Sequence, residues 1–132
     1  MNLSGAMIRE KSKIKFRLLL LGIGFELLVI IYFALPLILQ TPVAIIVIRS
    51  NSMLPQFGKG NIVIIKGINK KLNSFVNKTI AFYDPTRGKI IVHRAISIKD
   101  NSLITKGDNA DAIDFFQPTK EYILGKVVMK VR

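Results

Sequence analysis

At 132 residues, with 20 Lys and Arg against 8 Asp and Glu, one histidine and no cysteine, the chain has room for one domain and carries a net charge of +12. The missing cysteines exclude disulfides, thiol nucleophiles and cysteine-based zinc sites, and the single histidine excludes a histidine-cluster metal site. So basic a chain suits a partner that carries phosphates, either nucleic acid or anionic lipid.

Residues 1–17 form a basic flank, with Arg9, Lys11, Lys13, Lys15 and Arg17 against the one acid Glu10. Leu18 to Leu39 is an apolar run of 22 residues, about 33 Å long as a helix and sufficient to span a hydrocarbon core. It exceeds the core of a secretory signal and no small-x-small cleavage site closes it, so residues 18–40 read as an uncleaved signal anchor. The positive-inside rule then leaves the N-terminus cytoplasmic and sends residues 41–132 to the other side. With an anchor present, lipid becomes the simpler partner for the excess charge, each basic residue near an anionic surface contributing about 1 kcal/mol. Glu26 lies within the span and has two readings: half of a helix–helix contact, or a lone protonated carboxyl. Pro36 and Pro42 predict that the helix kinks or ends near its far side.

About ninety residues remain, and a domain of that size buries only about two-thirds of its unfolded surface. Val43 to Ile48 is short, β-branched and unbroken, which predicts a buried strand. Further strands are expected over Ile62 to Ile65, Thr79 to Tyr83, Lys89 to Ile98, Ser102 to Lys106 and Ile123 to Val131. Gly58-Lys59-Gly60-Asn61, Asp84-Pro85-Thr86-Arg87-Gly88 and Lys99-Asp100-Asn101 supply the turns, and Lys70 to Ser74 reads as an exposed loop. Alternation in the last strand sets Ile123, Gly125, Val127, Met129 and Val131 against Lys126, Lys130 and Arg132. The predicted class is mainly β, preceded by one transmembrane helix.

Three places carry residues able to do chemistry. Ser50 and Ser52 follow the first strand at a proline-limited turn, where serines also serve simply as turn caps. His93 lies in Ile90-Ile91-Val92-His93-Arg94-Ala95-Ile96, with alternation placing it beside Ile91 and Ala95 and opposite the heavier Ile90, Val92, Ile96 and Ile98. A strand histidine is either a satisfied structural residue or a base. Asp108, Asp111 and Asp114 sit in the loop that opens with Thr105-Lys106-Gly107. Its carboxylates are too few and too irregularly spaced for more than a weak calcium site, and an Asx turn is the other structural reading.

Ser50-Asn51-Ser52-Met53-Leu54-Pro55 resembles the S-x-S-M-x-P box of type I signal peptidases. Ile91-Val92-His93-Arg94 is similar to the V-H-R segment of their archaeal and endoplasmic-reticulum branch, in which histidine replaces the lysine base. Thr105-Lys106-Gly107-Asp108-Asn109 resembles the T-K-G-D-N segment of the same branch, with Asp114 matching a further aspartate. The boxes occur in the family's order behind an anchor, over roughly residues 43 to 131, with one departure at Gly60-Asn61, where the family has Gly-Asp. The resemblance implies a small signal-peptidase-like β-fold in which Ser52 is the nucleophile and His93 the base. Asp114 is then the acid that orients His93, helped by Phe115 and Phe116 burying its carboxylate, and Asp108 supports it by fixing the turn. The oxyanion donors become the Ser52 N–H and the Ser50 hydroxyl. It further implies a serine endopeptidase of the cell membrane, or of an endoplasmic-reticulum-type membrane, acting on signal peptides of exported preproteins. Small residues at −1 and −3 would be preferred, with no cofactor or metal. Membrane lipid and accessory membrane subunits are the other partners it suggests.

A rival reading from the residues alone is an inert, membrane-tethered β-domain that binds a partner protein or acidic lipid; such a domain has no need to bring Ser52 and His93 together. Nucleic-acid binding lacks support. The aromatics beyond the anchor, Phe57, Phe75, Phe82, Tyr83, Phe115, Phe116 and Tyr122, show no interleaving with basic residues.

Overall fold

The computed structural model describes residues 3–67 and 71–131; the first two residues of the basic flank, Lys70 and Arg132 lie outside them. The chain divides into two compact units, Met1–Leu35 and Pro36–Arg132. A single helix, α1 (Leu3–Leu39), continues through Pro36 rather than stopping there. Over Met7–Leu39 it is long and apolar enough to cross a membrane. Leu18, Leu19, Leu20 and Leu21 point to successive sides of the helix and are 52–70% exposed, so no polar stripe is reserved for water. The helix ends where Gln40 turns left-handed (φ 52°) and Thr41 N–H donates back to the Pro36 carbonyl (3.1 Å). The Gly67 N–H then donates to the Leu39 carbonyl (2.7 Å), tying this last turn to the sheet.

The second unit is a six-stranded antiparallel sheet of β1 (Ile45–Val47), β2 (Ile62–Lys66), β3 (Thr79–Asp84), β4 (Lys89–Lys99), β5 (Ser102–Lys106) and β6 (Ile123–Val131). Their spatial order is β1-β2-β6-β3-β4-β5. The chain is thus mainly β with one helix, the class expected from the sequence. The β4–β5 turn has φ of 48° at Asp100 and 60° at Asn101, the two left-handed positions that match the twist of paired strands.

Successive residues of β3 serve two different cores. Ala81 joins Val92, Ile48, Met53, Phe57, Val63 and Ile65 on one side of the sheet. Ile80 and Phe82 join Ile91, Ala95, Leu103, Leu72 and Phe75 on the other. Because side chains alternate across a strand, both faces of β3 are covered over residues 80–82, and that stretch is apolar without interruption. Gly125 lies where β6 shifts register against β3. Its φ is 152° and a Cβ there would strike the Lys66 carbonyl, so the bulge requires glycine.

Several expectations are corrected. β1 is a three-residue edge strand, not a longer buried one: Ala44 and Ile48 are buried, but Ile45 and Val47 are 52% and 53% exposed because nothing among the described residues covers their face. On β4 neither face is the heavier throughout, since Ile91 and Ala95 are buried on one and Val92 on the other while Ile90 and Ile96 are exposed. A register shift between Ala95 and Ser97 carries Ile96 outward, and segments distant in sequence cover Ile91. Leu72–Phe75 forms a 3₁₀ turn that buries Leu72 and Phe75, so only Lys71, Asn73 and Ser74 of the described loop are exposed. The single alternation expected along β6 is broken by a register shift between Val127 and Met129, and Met129 and Val131 are exposed.

Candidate active site

The end of β1 is pinned by two hydrogen bonds of 2.8 Å, from the Ile48 N–H to the Asn61 carbonyl and from the Gly60 N–H to the Ile48 carbonyl. Asn61 also closes its own turn by accepting the Gly58 N–H through Oδ1 (2.9 Å), which gives the unusual Gly60-Asn61 pair a local role. The chain then leaves the sheet as the turn around Ser52, which contains a cis Leu54–Pro55 bond. Met53 and Phe57 are buried in the first core and bracket this turn, joined by the Phe57 N–H to the Met53 carbonyl (2.9 Å). These apolar anchors hold the turn that carries Ser52 at the rim of the sheet.

β4 brings His93 to the same place, opposite Ile80 in the ladder with β3. His93 Nε2 lies 2.9 Å from Ser52 Oγ, and Nδ1 lies 2.7 Å from Asp114 Oδ2. The imidazole and carboxylate are 11% and 10% exposed, so water competes little for either bond. A carboxylate opposite Nδ1 selects the tautomer that carries its proton there, which leaves the Nε2 lone pair to accept the Ser52 O–H. Ser50 Oγ stands 3.1 Å from Ser52 Oγ. The structure thus brings together Ser50, Ser52, His93 and Asp114 from three separate segments.

Asp108 is not part of that line. Instead of accepting backbone N–H groups in its turn, it takes both Arg94 Nε and Nη2 at 2.7 Å, one on each carboxylate oxygen. Donating to this carboxylate, together with its negative charge, holds the Arg94 guanidinium above its ordinary pKa against the opposing effect of burial. Asp111 is exposed. Phe115 does not shield Asp114, being 88% exposed; Phe116 instead packs against Phe82 and Tyr122.

What does enclose Asp114 is Thr105, a fully buried residue without an assigned role in the sequence reading. Its hydroxyl donates to Asp114 Oδ2 (2.6 Å), and its carbonyl accepts the Asp114 N–H (2.8 Å). The available signal was its place in β5, paired with Ala95 two residues from His93. Gly107 is equally constrained: a Cβ there would stand 2.6 Å from the Ser52 carbonyl oxygen and 3.1 Å from His93 Nε2. Only glycine lets the loop approach this closely.

An open groove of about 950 Å³ runs from this site. It is lined by Ile46 of β1 and Ile48 just beyond it, by Tyr83, Ile90 and Val92 of the β3–β4 hairpin, and by Ser50, Ser52 and His93. The hairpin turn is made rigid by Asp84, whose Oδ1 accepts the Thr86 N–H and hydroxyl (2.9 and 2.6 Å) and the Arg87 N–H (3.3 Å). Burial pushes the Asp84 carboxyl up, but these bonds and the Arg87 charge outweigh it and hold its pKa below the usual carboxylate value. Among the described residues, no group of three or more His, Asp or Glu is arranged to hold a metal ion. No family model matches the chain, and no curated protein matches it.

Proposed function

We propose that the protein is a membrane-anchored serine endopeptidase of signal-peptidase type, cleaving N-terminal signal peptides from exported preproteins after small residues at −1 and −3. The observation that carries this reading is the unbroken line from Ser52 Oγ through His93 to Asp114, with bonds of 2.9 and 2.7 Å, whose Ser52 and His93 line an open groove. An inert tethered domain gains nothing from burying such a line of polar groups, each of which costs free energy to remove from water. The apolar helix and the basic flank before it fit an anchor with the N-terminus in the cytoplasm and the β-domain on the outer or luminal side.

The chemistry follows from the geometry. An extended peptide adds along β1, which has a ladder partner on one side only, and its scissile carbonyl reaches Ser52. As Ser52 Oγ attacks the carbonyl carbon, its proton passes to His93 Nε2, and Asp114 supports the imidazolium that results. The oxyanion accepts hydrogen bonds from the Ser52 N–H and from the Ser50 hydroxyl, which turns away from Ser52 Oγ to reach it. His93 gives its proton to the departing amine as the C–N bond breaks, leaving an ester on Ser52. A water then gives its proton to His93 and attacks the ester, which frees the peptide carboxylate and returns the proton to Ser52.

The test uses the full chain in detergent with a preprotein bearing small residues at −1 and −3. Wild type should cut at that junction, and Ser52→Ala should reduce kcat by at least about 10³-fold. Equal cleavage by Ser52→Ala, or none by the folded wild type, overturns the reading in favour of an inert domain.

A further inference from the structure

The loop after β5 holds three consecutive residues of the serine turn, one by one. Asn109 Nδ2 donates to the Asn51 carbonyl (3.2 Å), the Asn109 N–H to the Ser52 carbonyl (2.8 Å), and the Asp108 N–H to the Met53 thioether (3.4 Å). Gly107 packs against Ser52 and His93 at the same time. Yet residues 107–114 form no strand or helix, so the precision of this contact needs an outside support. Arg94 occupies the position for it. Its Nε and Nη2 hold the two oxygens of Asp108, its Nη2 also donates to Gln56 Oε1 (2.9 Å), and its Nη1 reaches the Asn77 carbonyl (3.4 Å). Gln56 lies at the far end of the serine turn and takes a second bond from the Thr79 hydroxyl (3.1 Å).

We propose that Arg94 is a positioning residue for the peptidase reaction: by gripping Asp108 and Gln56 together it fixes the serine turn from both sides and keeps Ser52 Oγ within reach of His93. The proposal rests on the proposed function. Arg94 directly follows His93 on β4, so one rigid strand carries both the base and the grip that places the nucleophile. Ser52 Oγ sits 2.9 Å from Nε2, and a drift of about 1 Å takes it beyond hydrogen-bond range. Lysine cannot replace this grip. A single ammonium lacks the planar fork that meets two carboxylate oxygens and an amide at once. The Arg94 and Asp108 side chains are 34% and 21% exposed, so solvent screens the pair's contribution to stability, and its loss should register in turnover before it registers in folding.

The experiment compares wild type, Arg94→Lys, Asp108→Asn and the double variant, each as the full chain in detergent, on the preprotein used for Ser52→Ala. Either single change should lower kcat by roughly 10- to 100-fold, with KM within about twofold. The double variant should be no worse than the weaker single one, because the two residues act as one unit. A second readout is independent of turnover: His93 is the only histidine, so its ring nitrogens are assignable without ambiguity. In Arg94→Lys the Nδ1–H signal of the bond to Asp114 should persist, while the Nε2 shift moves toward that of Ser52→Ala. Wild-type kcat in Arg94→Lys, a loss matched by the fall in folded fraction, or an unmoved Nε2 shift overturns the positioning role. If wild type and Ser52→Ala behave alike toward the preprotein, the peptidase reading falls, and the Nε2 shift alone still decides whether Arg94 sets the Ser52–His93 bond.

Discussion

Two carboxylates, Asp84 on the β3–β4 hairpin and Asp114 beside His93, are held in contrasting ways. Asp84, 1% exposed, takes every bond from the two residues that close its own hairpin, Thr86 and Arg87. Asp114 takes its side-chain bonds from Thr105, nine residues back on β5, and His93, twenty-one residues back on β4. A carboxylate satisfied within its own turn stabilises that turn and asks nothing of the fold. One satisfied only across two strands forms after the sheet has formed, and its effect is to fix the imidazole that faces Ser52. The difference separates an acid that builds the molecule from one that serves its reaction.

Exchanging one charge in each region should therefore produce opposite outcomes. Asp114→Asn keeps the size of the side chain, but its amide favours the wrong imidazole tautomer; kcat should fall by about 10⁴-fold with little change in Tm. Preprotein cleavage and a thermal melt on the same sample check both halves. A Tm loss as large as that of an Asp84 variant, with kcat per folded molecule preserved, would make Asp114 another turn acid and erase the comparison.

Asp84→Ala should do the reverse. It leaves the Thr86 and Arg87 donors without their acceptor, a cost of about 1–3 kcal/mol, each kcal/mol lowering Tm by about 4–8 °C in a domain of this size. The kcat of the molecules that remain folded should change far less than in Asp114→Asn. Because the folded pKa of Asp84 lies below its unfolded value, its contribution is complete above the ordinary carboxylate range of about pH 4. It is lost as pH falls through the lower folded value. Wild-type Tm should thus drop more steeply on acidification below about pH 4 than the Tm of Asp84→Ala. Parallel acid limbs would show that Asp84 is not the group responsible.

The same contrast explains what was legible in the sequence. Asp84-Pro85-Thr86-Arg87-Gly88 and Asp100-Asn101 announce turns because the bonds that form them are local, and β5 and β6 fall within the residues expected for them. The faces of β4 were not legible, since Leu72, Phe75 and Phe116, which cover Ile91 and its neighbours, come from elsewhere in the chain. β1 misled for the complementary reason: an apolar run does not reveal that its outward face has no cover. In the site, Ser52, His93 and Asp114 stood out only through the three motif boxes, not through periodicity. Arg94 and Thr105 lay inside those boxes, yet their partners are fixed by strand register and by a bulge that no local pattern encodes.

Thr105 supplies the smallest and most discriminating change. Its hydroxyl and His93 Nδ1 share one oxygen of Asp114, at 2.6 and 2.7 Å. Thr105→Val preserves the branched shape in a site with no exposure and removes only the donor. Asp114 then keeps its bond to His93 but loses the contact that fixes the direction of that bond. The lost hydrogen bond is of the 0.5–1.5 kcal/mol class, so kcat should fall by about 2- to 10-fold. Thr105→Ser, which restores a hydroxyl, should recover part of the loss. The histidine Nδ1–H resonance should shift in Thr105→Val while remaining present, since the partner oxygen is still there. A fall as deep as that of Asp114→Asn would mean that Thr105, rather than the chain around Asp114, holds the acid in place; no fall at all would mean that β5 and the loop backbone suffice.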